Sequence, residues 1–252
     1  MTALAPHARR AAAVLAFFAG WEIFGLTGGV FAIPPFHVVL TTLVEMLQSG
    51  ELWGPTARTC LVAFTGWACA GVIGIVVGVA LGLSETLRMA LEPIINAAYA
   101  TPMAMFIPVI GIYLGLDFVG QVFLVVTFCV FIVLMNTQAG VRAAPADYWE
   151  LGRSLELSYP RVVATMILPH AVPYIAVGLR VSVARAVAGA ITAELLMATT
   201  GLGLYLSMAG SSFDVNRLVA GTLWVALLGI VPVVLAYRIE RRLSAWRPYE
   251  EH

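Results

Sequence analysis

The sequence predicts an all-helical membrane protein with about six transmembrane helices. Hydrophobic residues make up 61% of its 252 residues and charged residues 11%, whereas about a quarter of the residues in a soluble domain are charged. Apolar stretches of about 20 residues, the length of a helix that crosses a bilayer, recur along the chain. Short alternating strands of the kind that build a membrane barrel are absent from the sequence. The spans are therefore predicted to be helices that satisfy their own backbone hydrogen bonds.

Six stretches are long and apolar enough to cross the membrane, and together they predict a single transmembrane domain over residues 1–252. The predicted spans are 11–32, 58–83, 92–115, 118–140, 169–197 and 217–239. The first contains Glu22 and has no convincing small-residue cleavage site, so it is interpreted as a retained span and not as a signal peptide. The third is interrupted by Pro102 and Pro108.

Residue spacing also predicts how some helices pack. Between His37 and Leu47, in the connection after the first span, apolar residues recur at helical spacing, which predicts a short amphipathic helix at the outer interface. The second span has small residues three to five positions apart, a pattern that lets membrane helices approach one another closely. These residues are Gly66, Gly71, Gly74, Gly78 and Gly82.

The distribution of arginine predicts the orientation of the bundle. Membrane proteins have an excess of basic residues in their cytoplasmic connections. With the N-terminus inside the cell, ten arginines lie on the cytoplasmic side and two near the outer side, so both termini are predicted to be cytoplasmic in a multi-pass protein of the inner (plasma) membrane. The ten are Arg9, Arg10, Arg88, Arg142, Arg153, Arg161, Arg238, Arg241, Arg242 and Arg247; the two are Arg58 and Arg217.

One polar segment, residues 147–157, interrupts the apolar sequence between the fourth and fifth spans. It is the only polar segment long enough to form a helix outside the lipid between two spans. A membrane subunit with one protruding helix needs a partner that receives this helix, which favours one part of a larger machine over a self-contained enzyme. The alternative is an ordinary solvated loop.

Other chemistry is not indicated. The net charge is zero, so nothing suggests binding to nucleic acid. The cysteines lie in apolar runs without metal or disulfide spacing, and the histidines are scattered, so no metal site and no catalytic site are predicted. The cysteines are Cys60, Cys69 and Cys129, and the histidines are His7, His37, His170 and His252.

An ordered series of motifs connects the chain to a known family. Glu150 is followed nineteen residues later by Pro169, then come Leu168–Arg180 and Ala193-Glu194, and upstream lie Pro102-Met103-Ala104 and Asn136–Val141. On a frame of six spans, this series resembles the permease subunits of binding-protein-dependent ABC importers, in the branch for nitrate, sulfonates, taurine and bicarbonate. The resemblance runs from Ile33 through most of the chain.

The resemblance implies a division of labour. Two copies of the permease pair, two cytoplasmic ATPase subunits bind ATP and Mg²⁺, an extracytoplasmic binding protein delivers the solute, and lipid surrounds the bundle. This chain has no lysine and so lacks the Gly-x-x-x-x-Gly-Lys phosphate loop; no cofactor is expected on it. Transport would proceed by alternating access without covalent chemistry, and the expected solute is a small organic or inorganic anion.

The same resemblance identifies the cytoplasmic loop 142–168 as the ATPase-coupling loop. Glu150 and Arg153 are the expected polar contacts with the ATPase, and Trp149 and Leu155 the expected apolar anchors. This chain departs from the family pattern, because Leu151 and Gly152 replace two alanines and Glu156 replaces a glycine. The full set of coupling candidates is Asp147, Trp149, Glu150, Arg153, Leu155 and Glu156.

Six residues are candidates for the translocation pathway. Four lie in the third span, whose two prolines loosen its hydrogen-bond ladder, a feature of helices that line transporter pathways; the alternative is a kinked packing helix. Arg185 and Glu194 are costly charges inside the fifth span. Arg185 either faces the pathway or pairs with a carboxylate such as Glu194 or Asp117 of a neighbour. The candidates are Tyr99, Met103, Met105, Phe106, Arg185 and Glu194.

Two other classes of protein compete with this interpretation. A stand-alone secondary transporter or channel would have an internal inverted repeat or matched charges in two halves, and the sequence has neither. A structural membrane subunit of a respiratory or biosynthetic complex would leave the spacing from Glu150 to Pro169 unexplained.

Overall fold

The computed structural model describes residues 4–28, 33–197 and 200–243. Within these ranges every regular element is a helix, which confirms the all-helical fold class. The helices are α1 Leu4–Thr27, α2 Phe36–Gln48, α3 Trp53–Leu83, α4 Glu85–Ala100, α5 Ile107–Leu114, α6 Phe118–Arg142, α7 Asp147–Ser154, α8 Tyr159–Val162, α9 Leu168–Met197, α10 Gly201–Ser211 and α11 Val215–Leu243. A 3₁₀ turn, Met103–Phe106, precedes α5, and a π-helical turn, Val163–Ile167, joins α8 to α9.

Four helical runs are long and apolar enough to cross a membrane, and a fifth candidate is a bent pair. The described part of the chain thus has four or five candidate spans, where the sequence predicts about six. The first predicted span, 11–32, corresponds to the apolar part of α1, which is shorter and covers Ala11–Thr27; residues 29–32 lie outside the described ranges. The four runs are Trp53–Leu83, Phe118–Arg142, Tyr159–Met197 and Val215–Leu235.

The third predicted span, 92–115, is not one straight helix. α4 ends at Ala100, and the helical segment Met103–Leu114 leaves it at an angle of 85°. Thr101 is extended (φ −77°, ψ 133°), as expected for a residue that precedes proline. Pro108, by contrast, lies in the first turn of α5, where the missing N–H costs nothing. The break therefore comes from Pro102 alone.

The fifth predicted span begins earlier than expected. The sequence predicts a start at Pro169, but the helical run is continuous from Tyr159 to Met197. Proline has no N–H and its ring clashes with the carbonyl four residues before it, which would kink a regular α-helix. The wider π turn Val163–Ile167 lies directly before α9 and accommodates Pro169 without ending the helix.

α3, α6 and α9 form the centre of the bundle. Four glycines of α3 face four residues of α6, so close that an added Cβ would lie within 2.8 Å of the α6 side chain or backbone. The sequence separation within each pair is the same, so α3 and α6 run side by side in the same direction. The pairs are Gly66–Val125, Gly74–Val133, Gly78–Thr137 and Gly82–Val141. Gly71 instead faces Leu179 of α9. The predicted packing role of the glycines is confirmed.

A second apolar cluster joins α2, α10 and α11. α2 buries Val39, Leu43 and Met46, and these contact Leu202 of α10 and Ala220 of α11. The predicted amphipathic helix is therefore confirmed. We call this end of the bundle, where α9 ends, the α10 end. The opposite end, where the run Tyr159–Met197 begins after α7, is the α7 end.

Candidate coupling helix and candidate pathway

α7 lies in the connection between two long membrane helices and is mostly exposed. It ends at Ser154, three residues before the end of the predicted helix. Acidic residues occupy its first turn and Arg153 its last turn, as the helix dipole favours. Gly152 is the only buried residue in it. The helix therefore contributes to its own chain only Gly152 and the half-buried rings of Tyr148 and Trp149.

α7 contacts the rest of the chain through Gly152 and through Tyr148 and Trp149, whose rings pack against the cluster that contains Val162. A Cβ on Gly152 would lie 2.4 Å from Cγ2 of Val162, a distance that side-chain atoms do not tolerate. Val162 belongs to α8 and is buried, at the start of the helical run that continues into α9. The replacement of an alanine by glycine here lets α7 lie directly on that run, while Leu151, the other departure, is exposed.

The turn after α7 explains the family glycine that this chain lacks. Glu156 has φ 52°, in the left-handed region that favours glycine. The N–H of Leu157 donates to the carbonyl of Gly152 at 2.9 Å, and the N–H of Glu156 to that of Arg153 at 3.1 Å. These two hydrogen bonds form a Schellman motif, which terminates helices and usually has glycine at this position. Glu156 thus preserves the turn with a strained backbone.

The coupling candidates divide into two groups by exposure. Trp149 is half-buried, because its ring stacks on Tyr159 of the same chain with centroids 5.2 Å apart. Leu155 is 57% exposed, and the charged candidates are all exposed and form no ion pair within the described residues. The exposed group consists of Asp147, Glu150, Arg153, Leu155 and Glu156.

The pathway candidates of the third span surround its bend. Ile107 is buried against α6 and α9, with Ala104 packed beside it, and these contacts hold the bend in place. Met105 and Phe106 point away and are exposed, Met103 is half-buried, and Tyr99 contacts Phe131 of α6 at a centroid distance of 6.3 Å.

The structure does not bring Arg185 and Glu194 together. Glu194 is fully buried, and Oγ1 of Thr59 donates to its carboxylate at 2.8–2.9 Å. The N–H of Gly203 donates to Oε2 of Glu194 at 3.0 Å, at the beginning of α10. A carboxylate at a helix N-terminus satisfies its unpaired N–H groups. The Glu194 side chain is enclosed by α3 and α10 in this structure, and its assignment to the pathway stays a prediction.

The residues that enclose Glu194 are not evident from their sequence pattern alone. A Cβ on Gly201 would lie 2.0 Å from Oε1 of Glu194, and Gly201 also has φ 82°. A Cβ on Gly203 would lie 2.5 Å from Cβ of Glu194. Oγ1 of Thr59 also accepts from the N–H of Leu202 at 3.0 Å. The available signal was Gly201-Leu202-Gly203 shortly after a charged residue near the end of a span.

The two arginines of α9 have different surroundings. The guanidinium of Arg180 lies 5.5 Å from the ring centroid of Tyr237 in α11. Arg185 is exposed, and so are its neighbours on the same side of the helix, Val181, Ala184 and Ala188. In the described part of the chain it forms no hydrogen bond or ion pair.

Comparison with known proteins agrees with this architecture. A family model described as binding-protein-dependent transport system inner membrane component matches residues 70–245. The chain is 28% identical to the aliphatic sulfonates transport permease protein SsuC of Bacillus subtilis (strain 168), over 90% of this chain and 83% of that protein. It is 29% identical to the taurine transport system permease protein TauC of Escherichia coli (strain K12), over 85% of this chain and 80% of that protein.

A solved structure shares the fold. The crystal structure of an amino acid ABC transporter with histidines superposes with a TM-score of 0.64 at 16% identity, covering 79% of this chain and 98% of that chain.

Proposed function

This chain belongs to the family of binding-protein-dependent transport system inner membrane components, and we propose that it works as a homodimer that imports a small organic or inorganic anion by alternating access. It is the multi-pass inner membrane permease subunit of an ABC importer and has no catalytic role itself. Membership in a binding-protein-dependent ABC system implies an ATPase and an extracytoplasmic binding protein as partners. Two ATPase subunits, each with bound ATP and Mg²⁺, complete the proposed assembly.

The proposed topology has six spans, with both termini and α7 in the cytoplasm. The four long runs give four spans, and α1 and the bent pair of α4 and Met103–Leu114 are counted as one crossing each. The asymmetry of the arginines supports the orientation. In this orientation α7 faces the ATPase and the α10 end faces the binding protein.

The observation that carries the coupling proposal is the place where α7 is attached, because Gly152, Trp149 and Tyr148 all contact the first part of the run Tyr159–Met197. This helix presents exposed charges on a short segment that is seated on Val162 through Gly152. Since Val162 begins the continuous run Tyr159–Met197, a displacement of α7 by the ATPase would act directly on α9. Interfaces of this kind respond as rigid bodies and not by continuous bending.

The proposed solute class rests on the relatives. SsuC and TauC are named for aliphatic sulfonates and for taurine, which are small molecules with an anionic sulfonate group. The proposed pathway runs along the exposed side of α9 and past the bend, where Tyr99, Met103, Met105 and Phe106 lie. A binding protein would supply most of the selectivity between anions.

The coupling role is tested by reversing one charge on α7. In the purified complete transporter, Glu150→Arg is expected to leave folding intact, because the side chain is exposed, but to abolish uptake and lower solute-stimulated ATP hydrolysis about tenfold or more, the scale of losing one central interface contact. Glu45→Arg, an exposed charge reversal on α2, is the matched control. It should leave uptake and solute-stimulated ATP hydrolysis unchanged. Normal uptake by the Glu150→Arg transporter would contradict the coupling role.

A further inference from the structure

The position of Arg185 in the bundle is deep. It lies twelve residues before Met197, the last residue of α9, which corresponds to about 18 Å at 1.5 Å per residue. The residue beside it in α6 is Cys129, whose Sγ contacts the carbonyl of Ser182 at 3.4 Å, and Cys129 lies near the middle of α6. Arg185 is therefore near the centre of the bilayer, beyond the range in which a long side chain reaches the interface easily.

Among the described residues of its own chain, no carboxylate forms an ion pair with Arg185. Arg180, one and a half turns earlier, is received by the ring of Tyr237. Arg185 is exposed at the edge of the face of α9 that packs on α6 through Gly178 and Gly189. A guanidinium in contact with lipid is so costly that such residues face a partner or a water-filled path.

Among the described residues, the long spans of a second copy offer it no free carboxylate either. In the four long spans Glu194 is the only acidic residue, and it is fully buried and bound by Thr59 and Gly203. Asp117, the other candidate from the sequence, precedes α6 by one residue and lies twelve residues from Cys129, about 18 Å away along the helix.

Three further acidic residues in the apolar helices have partners, and Glu45 lies on the exposed face of α2 at the α10 end. Glu85 and Glu92 both pair with Arg88 at the start of α4. The Glu22 carboxylate contacts Nδ1 of His37 at 2.5 Å. Among the described residues, no acidic side chain in or beside the spans is therefore placed to neutralise Arg185.

We propose that Arg185 binds the transported anion at the centre of the pathway. The planar guanidinium donates paired hydrogen bonds that match the oxygens of a sulfonate, carboxylate or nitrate. In a two-fold homodimer the same residue is present twice, so the site would combine two guanidinium groups with the small, apolar surface of Val181, Ala184 and Ala188. This inference rests on the proposed function, because it requires a second copy and a solute that is an anion.

The experiment measures local anion preference with a sulfonate probe. Cys60, Cys69 and Cys129 are first replaced by alanine, and Ala188→Cys then places one thiol about a turn from Arg185. Membrane vesicles that contain the complete transporter are treated, with and without ATP, with anionic 2-sulfonatoethyl methanethiosulfonate or cationic 2-(trimethylammonio)ethyl methanethiosulfonate. Each rate is divided by the rate of the same reagent with free 2-mercaptoethanol.

The anionic reagent is expected to react about tenfold or more faster than the cationic one, because a positive cleft concentrates anions to that extent. Arg185→Gln should abolish this preference, and Arg185→Lys should retain most of it. Phe64→Cys, on an exposed apolar position of α3, is the control that should react with neither reagent.

Three results would overturn the site: no reaction at position 188 with either reagent, equal rates for both, or a preference that persists in Arg185→Gln. The outcome is independent of coupling to the ATPase. If Glu150→Arg leaves transport intact while the anion preference holds, the coupling role fails and the anion site stands.

Discussion

The two short helices at opposite ends of the bundle, α7 and α10, end in the same way and begin differently. Each ends in a Schellman motif with a non-glycine residue in the left-handed region, Glu156 with φ 52° and Phe213 with φ 57°. After α10 the N–H of Asp214 donates to the carbonyl of Ala209 at 2.9 Å, and the N–H of Phe213 to that of Gly210 at 3.1 Å.

The beginnings show which helix belongs to the bundle. α10 starts on the buried carboxylate of Glu194 and buries four residues, Leu202, Gly203, Leu206 and Ala209. α7 has no side-chain hydrogen bond at its N-terminus and buries Gly152 alone. Burial and capping stabilise α10 within its own chain. α7 has no such cap and less burial, as expected for a helix that is completed by another protein.

The largest expected difference between the two helices is their access to reagents on either side of the membrane. In intact cells, a membrane-impermeant maleimide added outside is expected to label Ser212→Cys at the end of α10 and to leave Ser154→Cys at the end of α7 unlabelled. Both serines are exposed and lie at the end of a helix, so the two positions are matched. Ser49→Cys, after α2, should behave as Ser212→Cys does.

Permeabilised cells provide the control, since both positions should then react. Labelling of Ser154→Cys in intact cells would reverse the proposed orientation.

Next in size is the loss of stability when the start of α10 is disturbed. Gly201→Ala places a Cβ against the Glu194 carboxylate and forces a left-handed residue with a side chain, which together should cost about 3 kcal/mol in the free energy of unfolding. Thermal unfolding of the purified protein measures it. Gly210→Ala is the control in the same helix, where the nearest atom to an added Cβ is 4.0 Å away. Equal stability of the two variants would mean that Glu194 does not fix α10.

In α7 the change that corresponds to Gly201→Ala is Gly152→Ala, which should affect coupling to ATP hydrolysis more than stability. Gly152→Ala drives a methyl group into Val162, and overpacking costs about 1–3 kcal/mol where neighbours cannot move. Because most of α7 is exposed, we expect the helix to shift and solute-stimulated ATP hydrolysis to fall, with little change in the unfolding of the bundle. Adding Val162→Ala should restore the activity. A Gly152→Ala transporter with normal coupling would show that the contact is not transmitted.

The smallest expected effect compares the two strained turns directly. Glu156→Gly and Phe213→Gly each relieve a left-handed backbone at an exposed position, which should stabilise the turn by about 1 kcal/mol. Since α10 belongs to the bundle, the gain from Phe213→Gly should appear in global unfolding. The gain from Glu156→Gly should appear only as slower hydrogen exchange of the amides of α7. A global gain at both positions would mean that α7 is as firmly held as α10.

The sequence was sufficient where a feature depends on local pattern. Hydropathy located the long spans α3, α6 and α11, and periodicity located α2, because burial imposes these patterns on neighbouring residues. The glycines of α3 were correctly assigned to packing for the same reason. At Glu156 the family pattern marked the position as unusual, but the left-handed backbone that explains it was visible only in the structure.

The sequence was insufficient where the partner is distant along the chain. Glu194 is a pathway candidate because a charge inside a span is costly, and the sequence does not show that its hydrogen-bond partner is Thr59, 135 residues away. The early start of the fifth span was missed because Pro169 normally ends a helical pattern, and a π turn is not encoded by hydropathy. The coupling contacts with the ATPase are visible neither in the sequence nor in the structure of this one chain, and they stay predictions.

The π turn before Pro169 also sets the angle of α8 and α7 around the axis of α9. A π turn contains one residue more than the α-helical turn it replaces, and successive residues of an α-helix are rotated by about 100°. Removing one residue from Val163–Ile167 would therefore rotate α8, and with it the seat of α7 on Val162, by roughly a quarter of a turn around the axis of α9. The direction in which α7 points from the membrane is thus set by a single inserted residue. Exchanging this loop between related permeases would require that their π turns be counted as well as their sequences aligned.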